Sequence, residues 1–147
     1  MKSVFFQCLK FVDRISLHRI IGVMEDLQNG AIRKSILVVD DESITRKNVS
    51  ELLRGEGYEV SEAEDGLHAL ELLDTDRFEL VISDILMPRL NGFSIIEGIR
   101  SVSPRPKVLL MTAHADLLSP DLVGSTPCFT KPFRLDDLVS KVKDLLS

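Results

Sequence analysis

The chain has 147 residues, of which 44% are hydrophobic and 28% charged, and both values are ordinary for a single soluble globular domain. No apolar run approaches the roughly 20 residues that a transmembrane helix needs. The net charge of −5 argues against an extended nucleic-acid-binding surface, so we expect no direct binding to DNA. The two cysteines, Cys8 and Cys128, fit no metal or redox spacing, which favours reduced thiols and a cytoplasmic location.

The charge is unevenly distributed along the chain. Residues 1–23 contain four basic residues and one acidic residue, whereas the remainder carries 14 basic and 22 acidic residues. We therefore separate an N-terminal extension, residues 1–33, from a domain at residues 34–147. Residues 2–16 have a basic amphipathic helical pattern, and membrane contact is considered for this segment only. Three interpretations stay open: a docking helix, a disordered extension, or translated sequence upstream of a start at Met24.

Beyond residue 34, short apolar runs alternate with longer amphipathic segments. Predicted strands cover residues 36–39, 58–63, 78–83, 108–111 and 128–130. Predicted helices cover residues 43–54, the segments after Gly66 and Gly92, and residues 135–146. The apolar stripes of the first two helices include Ile44 and Leu67, and Pro120 and Gly124 interrupt the segment before the last strand. Five β/α units in series predict an α/β fold with a doubly wound parallel sheet and helices on both faces.

Polar residues directly follow four of the five predicted strands. Asp40 and Asp41 follow the first strand, Asp84 the third, Thr112 the fourth and Lys131 the fifth. Because the carboxyl ends of parallel strands lie at one edge of a sheet, where ligands bind, we expect these side chains to converge. Taken singly, each has a commoner structural role in a turn, a helix cap or a solvated surface. Their joint occurrence at strand ends favours a functional site.

The chemistry of such a cluster points to phosphoryl transfer. Like charges held close together oppose ionisation unless a cation compensates them, and Mg²⁺ favours carboxylates, water and phosphate oxygens. The ammonium of Lys131 and the hydroxyl of Thr112 would then stabilise charge on transferring phosphoryl oxygens. One aspartate would act as the nucleophile and form an acyl phosphate.

Four stretches with these residues resemble the receiver domain of bacterial response regulators, which act in two-component signalling. They are residues 36–42 (ILVVDDE), 81–88 (VISDILMP) with Asn91-Gly92 shortly after, 111–113 (MTA) and 131–133 (KPF). The resemblance covers residues 34–147. It implies a flavodoxin-like sheet with five strands in the order 2-1-3-4-5.

The resemblance also implies a role for each acidic residue. Asp84 corresponds to the phosphoacceptor. Asp41 and Asp84 correspond to direct Mg²⁺ ligands, together with the backbone carbonyl of Leu86. Asp40 corresponds to a residue that holds the ion through a bound water. Mg²⁺ is therefore the expected cofactor.

The remaining roles concern switching and partners. Thr112 corresponds to a switch hydroxyl that moves toward the phosphoryl group, and Lys131 to the phosphate-binding lysine, with a cis bond to Pro132. The phosphodonor would be a phosphohistidine on a sensor histidine kinase or phosphotransfer protein. The last predicted helix ends about one residue before Ser147, so we expect a single-domain regulator that signals by binding a downstream protein and turns over no external substrate.

The chain departs from the family pattern near its last strand. Cys128 occupies the position, three residues before Lys131, that usually holds a switch aromatic, and strand alternation directs the neighbouring Phe129 to the opposite face. Two readings stay open: Cys128 is a small buried residue, or activation is read out differently. The spacing between Thr112 and Lys131 also predicts a short or irregular fourth helix, and both departures fall on the family's usual partner face.

Two positions bear on the lifetime of the phosphoryl group, because in this family their side chains flank the path of an attacking water. Leu86 lies two residues after Asp84, and His114 lies two residues after Thr112. The apolar side chain of Leu86 predicts slow to moderate self-dephosphorylation.

Two rival functions remain. A receiver-like adaptor would bind partners without being phosphorylated. An aspartyl-phosphate hydrolase would usually need an acidic residue where Leu86 stands, so it ranks last.

Overall fold

The computed structural model describes residues 20–22, 24–25, 28, 30 and 32–147. The amphipathic pattern predicted over residues 2–16 lies outside the described residues. Within the described part of the chain, no helix is both long enough and apolar enough to span a bilayer.

Strands and helices alternate along residues 34–147. The strands are β1 (Ser35–Val39), β2 (Glu59–Ala63), β3 (Leu80–Asp84), β4 (Lys107–Thr112) and β5 (Cys128–Thr130). The helices are α1 (Ser43–Gly55), α2 (Gly66–Thr75), α3 (Gly92–Ile99), α4 (Pro120–Val123) and α5 (Leu135–Leu146), with a 3₁₀ turn at Ala115–Leu117. The five strands form one parallel sheet in the order β2-β1-β3-β4-β5. The predicted fold class and strand order are confirmed.

The central strands carry the core because helices cover both of their faces. All residues of β1 and β3 are buried, and successive side chains contribute to opposite faces. Ile36, Val38 and Ile82 pack in a cluster with residues of α1 and α5. Leu37 and Val39 pack in a second cluster with residues of α2 and α3. Burial of each such side chain contributes about 1.5–3 kcal/mol, so these two strands contribute strongly to the stability of the sheet.

Two helices begin one residue earlier than the sequence pattern indicated. Gly66 and Gly92 are the first residues of α2 and α3, and the caps are Asp65 and Asn91, whose side chains accept backbone N–H bonds from His68 and Ser94. Gly92 is required by close packing, because a Cβ there would lie 2.7 Å from the carbonyl oxygen of Asp84.

Two residues of the predicted apolar stripes lie at the surface. The side chains of Ile44 and Leu67 are 69% and 44% exposed. Each is the second residue of its helix, in the turn that emerges beyond the strand ends. A side chain in that turn is open to solvent although it belongs to the apolar stripe of its helix, because the stripe is covered only where the helix lies over the sheet.

The fourth helix is short, as the sequence predicted. It has four residues and begins with Pro120, which needs no backbone N–H at that position. Gly124 follows with a φ of +58°, a conformation that suits glycine and ends the helix. The peptide bond between Lys131 and Pro132 is cis, as the resemblance implied.

Candidate functional site

Three aspartates meet at the edge where the parallel strands end, which we term the carboxyl edge. Val39 pairs with Ser83 in the parallel ladder, so Asp40 and Asp84 follow on neighbouring strands. Carboxylate oxygens of Asp40, Asp41 and Asp84 all lie within 4.8 Å of one another. Asp40 is fully buried and Asp84 nearly so, whereas Asp41 is exposed. The predicted convergence of these three residues is observed.

Local backbone bonds orient the two buried carboxylates. Asp40 Oδ1 accepts the N–H of Glu42 at 2.9 Å, and Asp84 Oδ1 accepts the N–H of Leu86 at 3.1 Å. Each bond spans two residues, the pattern of a turn closed by an aspartate side chain. The second oxygen of each carboxylate is thereby directed away from its own backbone.

Lys131 joins the two buried carboxylates. Its Nζ donates to Asp40 Oδ2 at 2.8 Å and to Asp84 Oδ2 at 2.7 Å. Burial raises the pKa of Asp40, and the hydrogen bond from Lys131 offsets only part of that rise. Burial alone would lower the pKa of Lys131, but the hydrogen bonds and charges of both aspartates outweigh it and raise that pKa. The lysine is therefore held protonated and compensates charge at the centre of the site.

Thr112 reaches the same edge from β4. Its side chain is fully buried, and Oγ1 accepts the N–H of His114 at 2.9 Å. The carbonyl of Thr112 accepts the N–H of Lys131 at 2.6 Å, which ties β4 to the start of the next loop. Both residues predicted for this part of the site therefore stand at adjacent strand ends.

The donor set fits a hard divalent cation. All three side chains offer carboxylate oxygens. Few carboxylates with open coordination positions for water and phosphate are what Mg²⁺ prefers. Among the described residues, no histidine or cysteine belongs to the cluster, so the softer metals are disfavoured.

The neighbourhood of Cys128 has the predicted alternation. Phe129 packs against Phe133, with ring centroids 5.5 Å apart and planes tilted by 46°, at the core cluster shared with α1 and α5. Cys128 is half-buried, and burial, followed by the charge of Asp84, raises the pKa of its thiol. A thiol kept protonated in this way is a poor nucleophile and metal ligand.

Two charged residues beside the site were missed in the sequence. Arg89 Nη1 lies 2.9 Å from Asp65 Oδ2, and Arg46 Nη1 donates to the carbonyl of Asp40 at 2.7 Å. Asp65 directly precedes a helix, so its cap role was open to prediction. The pairing of Arg89 with it joins two loops 24 residues apart and has no local sequence signal.

The family model described as "Response regulator receiver domain" matches residues 36–143. Response regulator MprA of Mycolicibacterium vanbaalenii is 36% identical over 115 residues, which cover 76% of this chain and 49% of MprA. The CpxR homolog of Haemophilus influenzae, a transcriptional regulatory protein, is 36% identical over 114 residues, again 76% of this chain and 49% of the relative. The chain thus spans about half the length of these curated relatives.

Solved structures of similar proteins have the same fold as this chain. Response regulator protein TrrA from Thermotoga maritima, in complex with Mg²⁺-BeF, has a TM-score of 0.70 and 38% identity, covering 76% of this chain and 98% of TrrA. Chemotaxis response regulator CheY4 of Vibrio cholerae has a TM-score of 0.69 and 32% identity, covering 78% of this chain and 99% of CheY4.

Proposed function

Because the chain belongs to the response regulator receiver domain family of two-component signalling, we propose that it accepts a phosphoryl group on Asp84 and signals by binding a protein partner. The observation that carries the proposal is the Lys131 ammonium, 2.7 Å from one oxygen of Asp84 and 2.8 Å from Asp40. A buried nucleophile with an adjacent cation is what transfer of an anionic group requires. We assign residues 34–147 to the receiver domain, residues 1–33 to an N-terminal extension and the protein to the cytoplasm.

The proposed transfer is an exchange of bonds at phosphorus. A carboxylate oxygen of Asp84 attacks the phosphorus of a phosphohistidine, the P–O bond forms and the P–N bond breaks. The leaving imidazole keeps the electron pair and takes up a proton from solvent. Lys131 Nζ and Thr112 Oγ1 donate hydrogen bonds to the phosphoryl oxygens and stabilise their charge during the transfer.

A magnesium ion would be held directly by Asp41, Asp84 and the carbonyl of Leu86, and through water by Asp40. Bound there, it supplies positive charge beside the phosphoryl oxygens. The oxygen-only cluster, and the Mg²⁺-BeF complex of the similar TrrA structure, support this assignment.

The proposed phosphodonor is a protein, and the surface around the site supports this. Among the side chains of residues 34–147 that the structure describes, the large exposed hydrophobic ones lie at the carboxyl edge, where helices or loops follow the strands: Ile44, Leu67, Leu86 and Leu135. A groove of about 510 Å³ beside Lys131 is lined by residues that include Val49, Phe133 and Leu135. Exposed apolar side chains gathered around a charged centre are typical of a protein-binding surface. A sensor histidine kinase or phosphotransfer protein would dock here and present its histidine to Asp84.

The decisive experiment is intact-mass measurement after incubation with Mg²⁺ and acetyl phosphate. We expect a gain of one phosphoryl group in the wild type and in Asp144→Ala, an exposed carboxylate at the far end of α5. The gain should be lost in Asp84→Ala. No gain in the wild type at any donor concentration would contradict the proposal.

A second measurement tests the docking surface. Ile44→Ser should leave the rate of phosphorylation by acetyl phosphate unchanged, because the side chain is 69% exposed and outside the acid cluster. It should slow transfer from the cognate kinase or phosphotransfer protein. Equal slowing with both donors would contradict docking at this surface.

One observation favours the alternative of a receiver-like adaptor that acts without phosphorylation. Cys128 stands where the family usually has the switch aromatic, and the adjacent α4 has four residues. If the wild type acquires no phosphoryl group yet retains its partner in pull-down, the adaptor is the better account.

A further inference from the structure

The loop between β3 and α3 contains a strained turn. Arg89 has a φ of +69°, and the N–H of Leu90 donates to the carbonyl of Pro88 at 2.9 Å. A bond between residues two apart, around a residue with this φ, defines a γ-turn, which is rare and strained when its central residue is not glycine. Strain of this kind persists only where the surroundings hold the residue in place.

The surroundings of Arg89 belong to the start of α2. Its guanidinium bonds Asp65 Oδ2 at 2.9 Å, while Asp65 Oδ1 accepts the N–H of His68 at 2.8 Å. That backbone hydrogen bond, and then the charge of Arg89, lower the pKa of Asp65 and keep it ionised. One carboxylate therefore caps a helix and holds the arginine at the same time.

Packing reinforces this contact one residue further along each loop. A Cβ on Gly66 would lie 2.5 Å from both the Cβ and the carbonyl oxygen of Leu90. The backbone of α2 and the backbone of the loop therefore touch at a point where no side chain fits. The tip of the loop is fixed against α2 by an ion pair and by this contact.

The base of the same loop carries the proposed site. Leu86 N–H donates to Asp84 Oδ1 at 3.1 Å, and Gly92 N–H donates to the carbonyl of Ile85 at 2.9 Å. The carbonyl of Leu86 lies three residues before Arg89, in a segment held at the base by these bonds and at the tip by Asp65. A shift of the tip must therefore be absorbed largely by the residues between, which include Leu86.

We propose that Asp65 and Arg89 are positioning residues for the divalent-cation site: their ion pair braces the strained turn and so fixes the loop that offers the carbonyl of Leu86. Neither side chain belongs to the acid cluster, so both act through the backbone. This inference rests on the proposed function, because it assumes that the cluster binds Mg²⁺.

The test is titration calorimetry of the full chain with MgCl₂. Arg89→Ala removes the ion pair, and Asp65→Asn removes its charge while retaining a good helix cap. Each is expected to weaken Mg²⁺ binding about two- to five-fold, the range for an ion pair with one solvent-exposed partner, here Arg89. The double variant should be no weaker than either single variant, because both remove one interaction. Arg89→Lys should retain most of the affinity.

Two further variants test whether a loss of Mg²⁺ affinity comes from the missing ion pair or from a general loss of stability. Arg89→Gly relieves the backbone strain but removes the guanidinium, and we expect it to weaken Mg²⁺ binding as Arg89→Ala does. Lys143→Ala breaks a comparable surface ion pair that lies away from the site. There Lys143 Nζ, on α5, lies 2.8 Å from Glu56 Oε2, at the end of α1. It should leave Mg²⁺ affinity unchanged. Urea unfolding without Mg²⁺ verifies that every variant is folded.

The outcomes distinguish this inference from the proposed function. If wild-type protein binds no Mg²⁺, the proposed function fails. If it binds Mg²⁺ and the folded Arg89→Ala and Asp65→Asn variants bind equally well, the brace is refuted and the function stands. Additive losses in the double variant, or wild-type affinity in Arg89→Gly, also refute it.

Discussion

The two halves of the carboxyl edge are built differently. Asp40 and Asp84 extend from β1 and β3, whose residues are all buried, and each carboxylate bonds the same lysine. On the other side, β5 has three partly buried or exposed residues and α4 has four residues. Segments with few buried contacts open at lower free energy than core strands. The two buried carboxylates of the proposed chemistry therefore lie at the rigid centre of the sheet, and Lys131 reaches them from the end of β5. The proposed readout lies on the less buried margin formed by β5 and α4.

The largest expected effect concerns the lysine that joins the buried carboxylates. Lys131→Met would leave two carboxylates facing each other, with side chains 0% and 12% exposed. We expect the free energy of unfolding at pH 7 without Mg²⁺ to fall by about 3 kcal/mol, as when a buried ion pair loses one partner. Added Mg²⁺ should restore part of it. Urea unfolding with and without Mg²⁺ measures both, and unchanged stability would show that the centre is not held by this charge.

Two glycines test how rigid the backbone is on the side of the carboxyl edge that carries Asp40 and Asp84. Gly92→Ala would place a Cβ 2.7 Å from the backbone oxygen of Asp84, whereas Gly98→Ala would meet the mobile end of Leu70. We expect Gly92→Ala to destabilise by about 2–3 kcal/mol, as overpacking does. Gly98→Ala should change stability by less than about 1 kcal/mol, because better helix propensity offsets the contact. Equal losses in urea unfolding would contradict a rigid backbone behind Asp84.

The lifetime of the phosphoryl group tests the role of Leu86, in the loop that follows β3. Leu86→Asn adds a hydrogen-bonding group two residues after Asp84, where the present side chain is 47% exposed. One added bond to an attacking water should accelerate decay of the phosphorylated mass at least about three-fold. Leu86→Met, which is apolar, serves as the control. Unchanged decay in the asparagine variant would mean that this position does not limit hydrolysis.

The smallest expected effect concerns Cys128. Its Sγ makes a weak 3.8 Å contact to the carbonyl of Phe129, and the side chain is half-buried. Cys128→Ala should alter stability by no more than about 1 kcal/mol, in the range of ordinary substitutions. The rate of phosphorylation by acetyl phosphate should stay unchanged. Loss of the phosphoryl gain in intact-mass measurement would show that the Cys128 side chain takes part in the chemistry, against its assignment to the readout side.

The sequence alone determined most of the architecture. Continuous apolar runs identified β1, β3 and β4, because a strand covered on both faces has no polar alternation. The polar residues after those runs predicted which side chains meet, since parallel strands end at one edge. Pro120 and the short spacing before Lys131 predicted the reduced α4.

Only the tertiary structure decided which of these groups touch. Lys131 bonds Asp40 across 91 residues of chain, a contact set by strand order and not by local pattern. The same holds for Arg89, whose partner lies on another loop, and for Ile44, exposed because its helical turn extends beyond the sheet. The hydrophobic periodicity of a segment indicates which face of that single helix or strand is apolar. The position of that element's end relative to its neighbours is fixed by packing between distant segments.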